Sequence, residues 1–301
     1  MEIGRFAPTT SGRAHPGTLL AGLLAWLDLR SRNGRFLLRL EDIDPGAHQT
    51  AIRDGLVDDL VWFGLTWDEL VLQSSHRASH EAALDKLASS GLLYECCCSR
   101  TTIKAAGLPS AAGGWVYPGT CRHRRTWNWR GSRENLRVDL SGWRVEVRDE
   151  SGADLGQDLD SAMGDPLVRR NDGGVTYQLA VVVDDAEAGV TRVVRGRDLA
   201  SSTATQVALR TVLGLPIPIY RHHLLLLEPQ GTKLAKLHQS IGADVLRRFV
   251  EPDALRGFLA FTAGLTADPG PVSLDQLLSG FDWVSVTGND KVVTWDGQTL
   301  A

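Results

Sequence analysis

Apolar positions in the first hundred residues change period repeatedly. Met1 to Phe6 is short and apolar, and Leu19, Leu20, Leu23, Leu24 and Leu27 then recur at helical spacing. Phe36 to Leu40 reads as a buried strand. Ile52, Leu56, Leu60 and Phe63 mark a second helix, and Leu84 and Leu87 lie in a third. Such strand–helix alternation predicts an α/β fold with a Rossmann-like, doubly wound parallel sheet. The pattern breaks near Tyr94. Residues 107–135 are rich in Gly, Trp and Arg with little periodicity, as in a loop-rich insertion. Leu136, Val138 and Leu140, then Trp143, Val145 and Val147, alternate and predict antiparallel strands. Val175 to Val183 is a longer β-branched run, Leu199 to Leu213 has helical character, and His222 to Leu227 reads as another core strand. Val245, Leu246, Phe249, Val250, Phe258 and Leu259 predict a final helical region.

Composition narrows the class without fixing it. The 301 residues are 43% apolar and 23% charged, as expected of a globular protein with a proper core. No apolar run reaches the roughly 18 residues of a membrane span. Arg5 and Arg13 interrupt any charged-then-apolar leader, so a cytoplasmic location is expected. The net charge of -4 argues against broad nonspecific nucleic-acid binding. Basic residues still cluster at Arg122, Arg124, Arg125, Arg130 and Arg133, as an RNA-contacting patch or simply a solvated face. The cysteines fall as Cys96, Cys97, Cys98 and a distant Cys121. Three in a row do not suit a disulfide framework, and clustered thiols in a reducing compartment point to metal.

Two stretches carry nucleotide chemistry. His15, Pro16 and Gly17 lie between the first strand and the first helix. A helix N-terminus offers N–H groups and partial positive charge to a phosphate. Pro16 suits a first-turn position, Gly17 allows close approach of a nucleotide, and His15 can donate to the α-phosphate. Far downstream, Lys233 and Lys236 could stabilise charge building on the β- and γ-phosphates. Either stretch alone is commonplace; the pair points to nucleotidyl transfer.

Together these stretches resemble the HIGH and KMSKS motifs of class I aminoacyl-tRNA synthetases. Arg5 to Gly12 is similar to the Arg-Phe-Ala-Pro-Ser-Pro-Thr-Gly opening of glutamyl-tRNA synthetases. Phe36 to Asp44 resembles their second strand, ending in Arg-Ile-Glu-Asp-Thr-Asp. Tyr177-Gln178-Leu179-Ala180 leading to Asp184-Asp185, and Arg195-Gly196-Arg197-Asp198-Leu199, match further blocks. The resemblance implies a glutamate site built from Arg5, Phe6, Ala7, Pro8, Thr9, Glu41, Tyr177 and Arg195, with His15, Gly17 and Lys236 on ATP and Lys233 beside them. The chemistry is consistent with it. Glu41 can hold the substrate ammonium, Arg5 and Arg195 its carboxylates, and Tyr177 can add a hydroxyl. Without the resemblance, structural ion pairs would account for the same residues.

Only 64 residues follow Leu237, too few for the helical anticodon-binding domain of a full glutamyl-tRNA synthetase. The family resembled is then the truncated paralogue, the glutamyl-queuosine tRNA(Asp) synthetases. That implies tRNA-independent activation of L-glutamate with ATP and Mg²⁺, then transfer onto the queuosine base at the wobble position of tRNA(Asp). No membrane and no obligate protein partner are implied. The expected organisation is a nucleotide-binding domain in two halves, 1–93 and 175–240, interrupted by a zinc-containing insertion over 94–174. A helical, stem-contact-like region over 241–301 follows.

Tyr94-Glu95-Cys96-Cys97-Cys98-Ser99-Arg100 and Tyr117-Pro118-Gly119-Thr120-Cys121-Arg122 resemble that family's Cys-x-Cys … Tyr-x-x-x-Cys zinc site. In extended chain, Cys96 and Cys98 share a side and Cys97 faces the other. Chemistry alone leaves the fourth ligand open: His123 suits a structural three-thiolate zinc, whereas the resemblance implies Cys96, Cys98, Tyr117 and Cys121. Departures are Ala235 for the lysine motif's Ser, Ala14 for the usual Leu, and Thr10 for the second Pro of the opening. Competing readings are a truncated glutamyl-tRNA synthetase charging the tRNA 3′ end, a noncatalytic RNA-binding relic, and a small-molecule adenylyltransferase.

Overall fold

The computed structural model describes residues 1–44, 50–110, 113–234 and 241–301. The chain folds into two compact units, each assembled from separate stretches of sequence. The first comprises Met1–Leu72, Thr191–Arg197 and Arg221–Ala301; the second comprises Gln73–Val190 and Asp198–Tyr220.

The first unit opens with β1 (Ile3–Phe6), α1 (Pro16–Ser31), β2 (Arg35–Leu40), α2 (Thr50–Trp62) and β3 (Glu69–Leu72). β1 pairs parallel with β2, and β2 parallel with β3. The run from Phe36 to Leu40 is buried throughout, as expected of a parallel strand covered on both faces. α1 is buried nearly all round: Leu19, Leu20, Leu23, Leu24, Leu27 and Leu29 are each at most 1% exposed. Such a helix is a core element rather than a surface one.

The second unit contributes α3 (Arg77–Ser89), β4 (Leu93–Cys96), α4 (Arg100–Ala106), β5 (Asn135–Val138), β6 (Arg144–Val145), β7 (Gln157–Asp158), α5 (Leu159–Ala162), β8 (Leu167–Arg169) and α6 (Tyr177–Glu187). β4, β5 and β8 form an antiparallel sheet, and β6 pairs antiparallel with β7. The alternation from Leu136 to Val147 therefore does mark antiparallel strands. The β-branched run from Val175 does not make a strand. Most of it lies in α6, which is buried nearly all round from Leu179 to Asp185, so tertiary packing overrides the β preference of Val181, Val182 and Val183.

The chain returns to the first unit with β9 (Arg192–Gly196), adds α7 (Thr203–Val212) to the second, and re-enters the first along β10 (Ile219–His223). β11 (Leu226–Leu227), α8 (Ala243–Leu246), α9 (Pro252–Ala263), α10 (Leu274–Ser279) and β12 (Lys291–Val292) complete it. The strand expected over His222–Leu227 is thus two: β10 ends the main sheet, and β11 pairs with β12 instead. The main sheet has the order β10-β9-β1-β2-β3, with β9 parallel to β1. Sequence order reverses between β1 and β9. In open α/β sheets, ligands bind outside the carboxyl ends of the strands at such a switch point.

One buried carboxylate ties the first unit together. Asp28 on α1 accepts Arg192 Nε (2.9 Å) and Nη2 (3.0 Å) from β9 and Trp283 Nε1 (2.7 Å) from the C-terminal region. It is fully buried, and paired arginine and indole donors satisfy it there.

Candidate active site and thiol cluster

Strand geometry sorts the charged residues of the first unit. Gly4 is level with Arg192, and Arg5 with Leu37. Because side chains alternate, Arg5, Arg39 and Arg195 fall on one face, away from the core face that carries Phe6, Leu38 and Val194. The face continues past the strand ends. Thr9 bridges Glu41 in parallel, Glu41 N donates to Pro8 O (3.0 Å), and Thr10 N donates to Glu41 O (3.1 Å). The Ala7–Thr10 segment is therefore held against the end of β2. Arg5, Arg39, Glu41 and Arg195 are 3–8% exposed. Arg39 Nη2 lies 3.6 Å from Glu41 Oε1, and Arg195 Nε meets His222 Nε2 at 2.9 Å. Three guanidiniums and a carboxylate at a switch point suit a zwitterionic ligand with more than one carboxylate.

Of the residues expected at a glutamate site, Arg5, Ala7, Pro8, Thr9, Glu41 and Arg195 lie at this end of the sheet. Phe6 lies on the opposite face, within the hydrophobic core. Tyr177 is the first residue of α6, in the second unit. Arg39 and His222 were not singled out from sequence. Arg39 was legible, since it precedes Glu41 by two residues in the same strand run and so shares its face; His222 carried no comparable signal.

His15 forms the N-cap of α1 with no side-chain capping bond, and Pro16 begins the helix. The helix end thus presents its dipole to an anion. The imidazole folds over Gly17: a Cβ there would lie 3.1 Å from His15 Cε1 and 3.2 Å from Nδ1. A side chain at position 17 would press on the ring, which would have to give by a few tenths of an ångström. The preceding turn is fixed by Asp59 of α2, fully buried, which accepts Arg13 Nε (2.9 Å), Ala14 N (3.0 Å) and Arg247 Nη2 (2.8 Å). Nothing in sequence pointed to Asp59, whose partners are distant in the chain. Lys233 is exposed, and Leu227 bridges it in antiparallel fashion. The Leu234 carbonyl oxygen lies within 4.0 Å of where a Cβ at Gly17 would sit, so the lysine segment and the helix end adjoin. Lys236 and Ala235 fall outside the described residues.

In the second unit, Cys96, Cys98 and Cys121 bring their sulfurs within 4.8 Å of one another. Cys98 Sγ is 3.6 Å from Cys121 Sγ. Tyr117 Oη is 3.4 Å from Cys96 Sγ and 3.9 Å from Cys98 Sγ, and it accepts Cys121 N at 3.0 Å. A tetrahedral zinc with bonds of about 2.3 Å to sulfur and 2.0–2.2 Å to oxygen has edges of roughly 3.6–3.8 Å. The 3.4, 3.6 and 3.9 Å separations lie near those edges, so the cluster could hold a metal ion. Cys97 is exposed, although its sulfur is 4.0 Å from Cys121 Sγ. His123 is exposed and not part of the group.

Burial raises the Cys98 thiol to about 11, helped by its contact with Cys121. At Cys121 burial pushes the same way, but hydrogen bonding by Tyr117, Cys97 and Cys98 prevails and brings the thiol down to about 7. Burial and then Cys96 push the Tyr117 phenol above its usual range. Around the cluster, Arg137 stacks 3.9 Å from the Tyr117 ring centre. Fully buried Asp165 accepts Tyr94 Oη and Arg122 Nε, both at 2.6 Å. Gly164 (φ +70°) passes so close that a Cβ would sit 2.2 Å from Tyr117 O.

The basic cluster read from sequence is largely spent on such pairing. Arg122 bonds Asp165 and Asp160, Arg124 meets Glu95 (3.3 Å), Arg125 pairs with Asp139, and Arg130 with Asp85.

Residues 3–260 match the model of the class I tRNA synthetases (E and Q), catalytic domain. The chain belongs to this class and is accordingly a ligase with a class I synthetase fold. Glutamyl-Q tRNA(Asp) synthetase of Symbiobacterium thermophilum is 40% identical over 300 residues, covering 94% of this chain and 93% of the relative. The protein of the same name from Chromobacterium violaceum is 43% identical over 234 residues, 77% and 78% of the two chains. Within the class, the chain belongs to the glutamyl-Q tRNA(Asp) synthetase family. A glutamate tRNA ligase from Elizabethkingia meningosepticum, solved in complex with its amino acid, has the same fold. Its TM-score is 0.81 at 21% identity, over 99% of this chain and 68% of that one. Among the described residues, no helix is long and apolar enough to cross a membrane.

Proposed function

We propose that this chain activates L-glutamate with ATP, without tRNA, and transfers the glutamyl group onto the queuosine base at the wobble position of tRNA(Asp). The observation that carries the reading is the 40% identity, over nearly the whole of both chains, to a relative named for that activity. The buried Arg5–Arg39–Glu41–Arg195 face supports it, because an amino acid with two carboxylates needs more cations than anions around it.

In the proposed reaction, Arg5 and Arg195, joined by Arg39, hold the two carboxylates, and Glu41 receives the ammonium. Tyr177 supplies an orienting hydroxyl. An α-carboxylate oxygen then bonds to the α-phosphorus of ATP, and the bond from that phosphorus to the bridging oxygen breaks, releasing pyrophosphate. His15 and the N-terminus of α1, with Gly17 admitting the nucleotide, donate to the phosphate oxygens. Lys233 and Lys236 balance the charge on the departing pyrophosphate. Mg²⁺ would shield the phosphates. The acyl group of glutamyl-adenylate is then taken by a hydroxyl of the queuosine base, releasing AMP.

Cys96, Cys98, Cys121 and Tyr117 would hold one zinc ion, which would supply structural rigidity to the turn between β4 and β5.

The test supplies ATP, radiolabelled glutamate and tRNA(Asp) with or without queuosine, then cleaves the product into anticodon and 3′-terminal fragments. Label on the anticodon fragment, dependent on queuosine, is expected. Label at the 3′ end would instead mark a charging enzyme, and absence of both label and pyrophosphate exchange would leave a noncatalytic relic.

A further inference from the structure

The C-terminal stretch from Gly288 onward has no part in the chemistry above, yet two of its residues, Lys291 and Val292, pair with the strand that leads to Lys233. β12 lies parallel to β11, with Leu226 level with Lys291 and Leu227 with Val292. Lys291 N donates to Leu225 O (3.0 Å) and Val293 N to Leu227 O (2.9 Å). On its other edge β11 carries the lysine segment. Leu227 bridges Lys233, Leu234 N donates to Leu226 O (2.9 Å), and Glu228 N donates to Thr232 O (2.8 Å). β11 is therefore bonded along both edges, to the segment bearing Lys233 through one bridge and to the C-terminal strand β12. A turn held by one bridge is marginal in water, and pairing of its other edge with β12 supports it.

Asp290 extends this link to the main sheet. Its Oδ1 accepts Leu225 N (2.7 Å) and pairs with Arg197 Nε (3.2 Å), while Arg197 also donates to the Gly288 carbonyl. Arg197 lies two residues beyond Arg195, just past the end of β9. One carboxylate thus joins the strand that carries Arg195 to the strand that leads into Lys233. The same C-terminal stretch walls a cavity of about 440 Å³, in which Val293, Trp295 and Leu300 accompany Leu234, Glu228 and Pro16 from the first turn of α1.

We propose that Asp290 is a positioning residue for activation: with β12 it sets the register of β11, and so places Lys233 relative to the N-terminus of α1. The proposal rests on the reading of Lys233 as an ATP contact. It does not place Asp290 against substrate.

Asp290→Ala removes the acceptor of Leu225 N–H together with the partner of Arg197. Asp290→Asn keeps an oxygen acceptor for Leu225. Two readouts are compared in the full chain: steady-state ATP–pyrophosphate exchange with both substrates varied, and amide hydrogen exchange over Leu226–Leu234. With Asp290→Ala, kcat should fall and KM for ATP should rise. The combined loss should be about five- to tenfold, the effect of one backbone hydrogen bond, with KM for glutamate within about twofold. Amide exchange over Leu226–Leu234 should accelerate by a similar factor, and Asp290→Asn should restore most of both. Unchanged protection of Leu226–Leu234, or a loss falling equally on glutamate KM, would overturn the proposal. A wild-type protein with no glutamate-dependent exchange would sink the proposed function instead, while the protection comparison would still decide whether Asp290 sets the register. If Asp290→Ala does not fold, Lys291→Pro carries the same two readouts, since it deletes the N–H given to Leu225 and its native side chain is exposed.

Discussion

Replacing Tyr117 by Phe removes one oxygen and leaves the ring under Arg137, so it isolates the phenol's two duties. The first is to Cys121 N–H, which donates to Oη at 3.0 Å in a place where Tyr117 is 2% exposed and Cys121 3%. Leaving that donor unsatisfied costs about 1–3 kcal/mol. The metal-free variant should lose that much stability in urea unfolding. The second, in the proposed zinc site, would be to the ion. Removal of an outer-shell partner weakens metal binding roughly 10–100-fold, so loss of a direct donor should weaken zinc by at least that much. Chelator competition, with metal content measured on the purified protein, reads the affinity. His123→Ala and Cys97→Ser should both keep wild-type zinc, because neither residue completes the tetrahedron. Should Tyr117→Phe bind zinc normally while His123→Ala loses it, the donor set inferred from the 3.4 and 3.9 Å contacts is wrong.

Zinc uptake should release protons. At pH 7 the Cys98 thiol, raised to about 11, is protonated, and Cys121, at about 7, is about half so. Affinity should therefore climb with pH from below 7 up to about 11, which titration calorimetry in buffers of different ionisation enthalpy can measure. Asp59→Ala removes the acceptor of Arg13 and of the Ala14 N–H, while Arg247 keeps its pair with Asp58. With both arginines partly exposed, a loss of about 2–3 kcal/mol is expected in denaturant unfolding, and a change under 0.5 kcal/mol would contradict it. Arg195→Ala should raise KM for glutamate about 10–100-fold, the loss of a charged hydrogen-bond partner, and leave KM for ATP nearly unchanged; equal effects on both would count against its role. Gly164→Ala should lower the melting temperature and reduce zinc content together, since its methyl would overlap Tyr117 O.

The parallel sheet was legible because buried parallel strands and core helices leave strong periodic signals. Phe36–Leu40 and the leucines of α1 are clear instances. α6 was not legible in this way. Val181, Val182 and Val183 suit a strand by local preference, and only their burial within the second unit makes them helical. Thiol spacing indicated a metal cluster, but it did not show that the Tyr117 phenol lies against Cys96 and Cys98 while His123 is exposed. Asp59 and Asp290 were invisible for a different reason. Each acts on residues dozens of positions or more away, and a lone aspartate carries no local pattern. For the arginines from 122 to 133, sequence left an RNA-contacting patch and a solvated face both open, because it does not show the carboxylates that meet Arg122, Arg124, Arg125 and Arg130.

The order of strands also bears on synthesis. β1 lies between β2 and β9, and all of Gln73–Val190 separates β3 from β9. At about 5–20 residues per second, a ribosome needs on the order of ten seconds to make that stretch. Throughout that interval the nascent sheet has β1 as a bare edge, and Asp28 waits for Arg192. Trp283 arrives later still. An unpaired parallel edge is a template for wrong pairing, so the emerging chain should depend on chaperone cover more than its finished form would suggest. Synonymous slowing of translation across Gln73–Val190 should lower the yield of folded enzyme without altering a single residue.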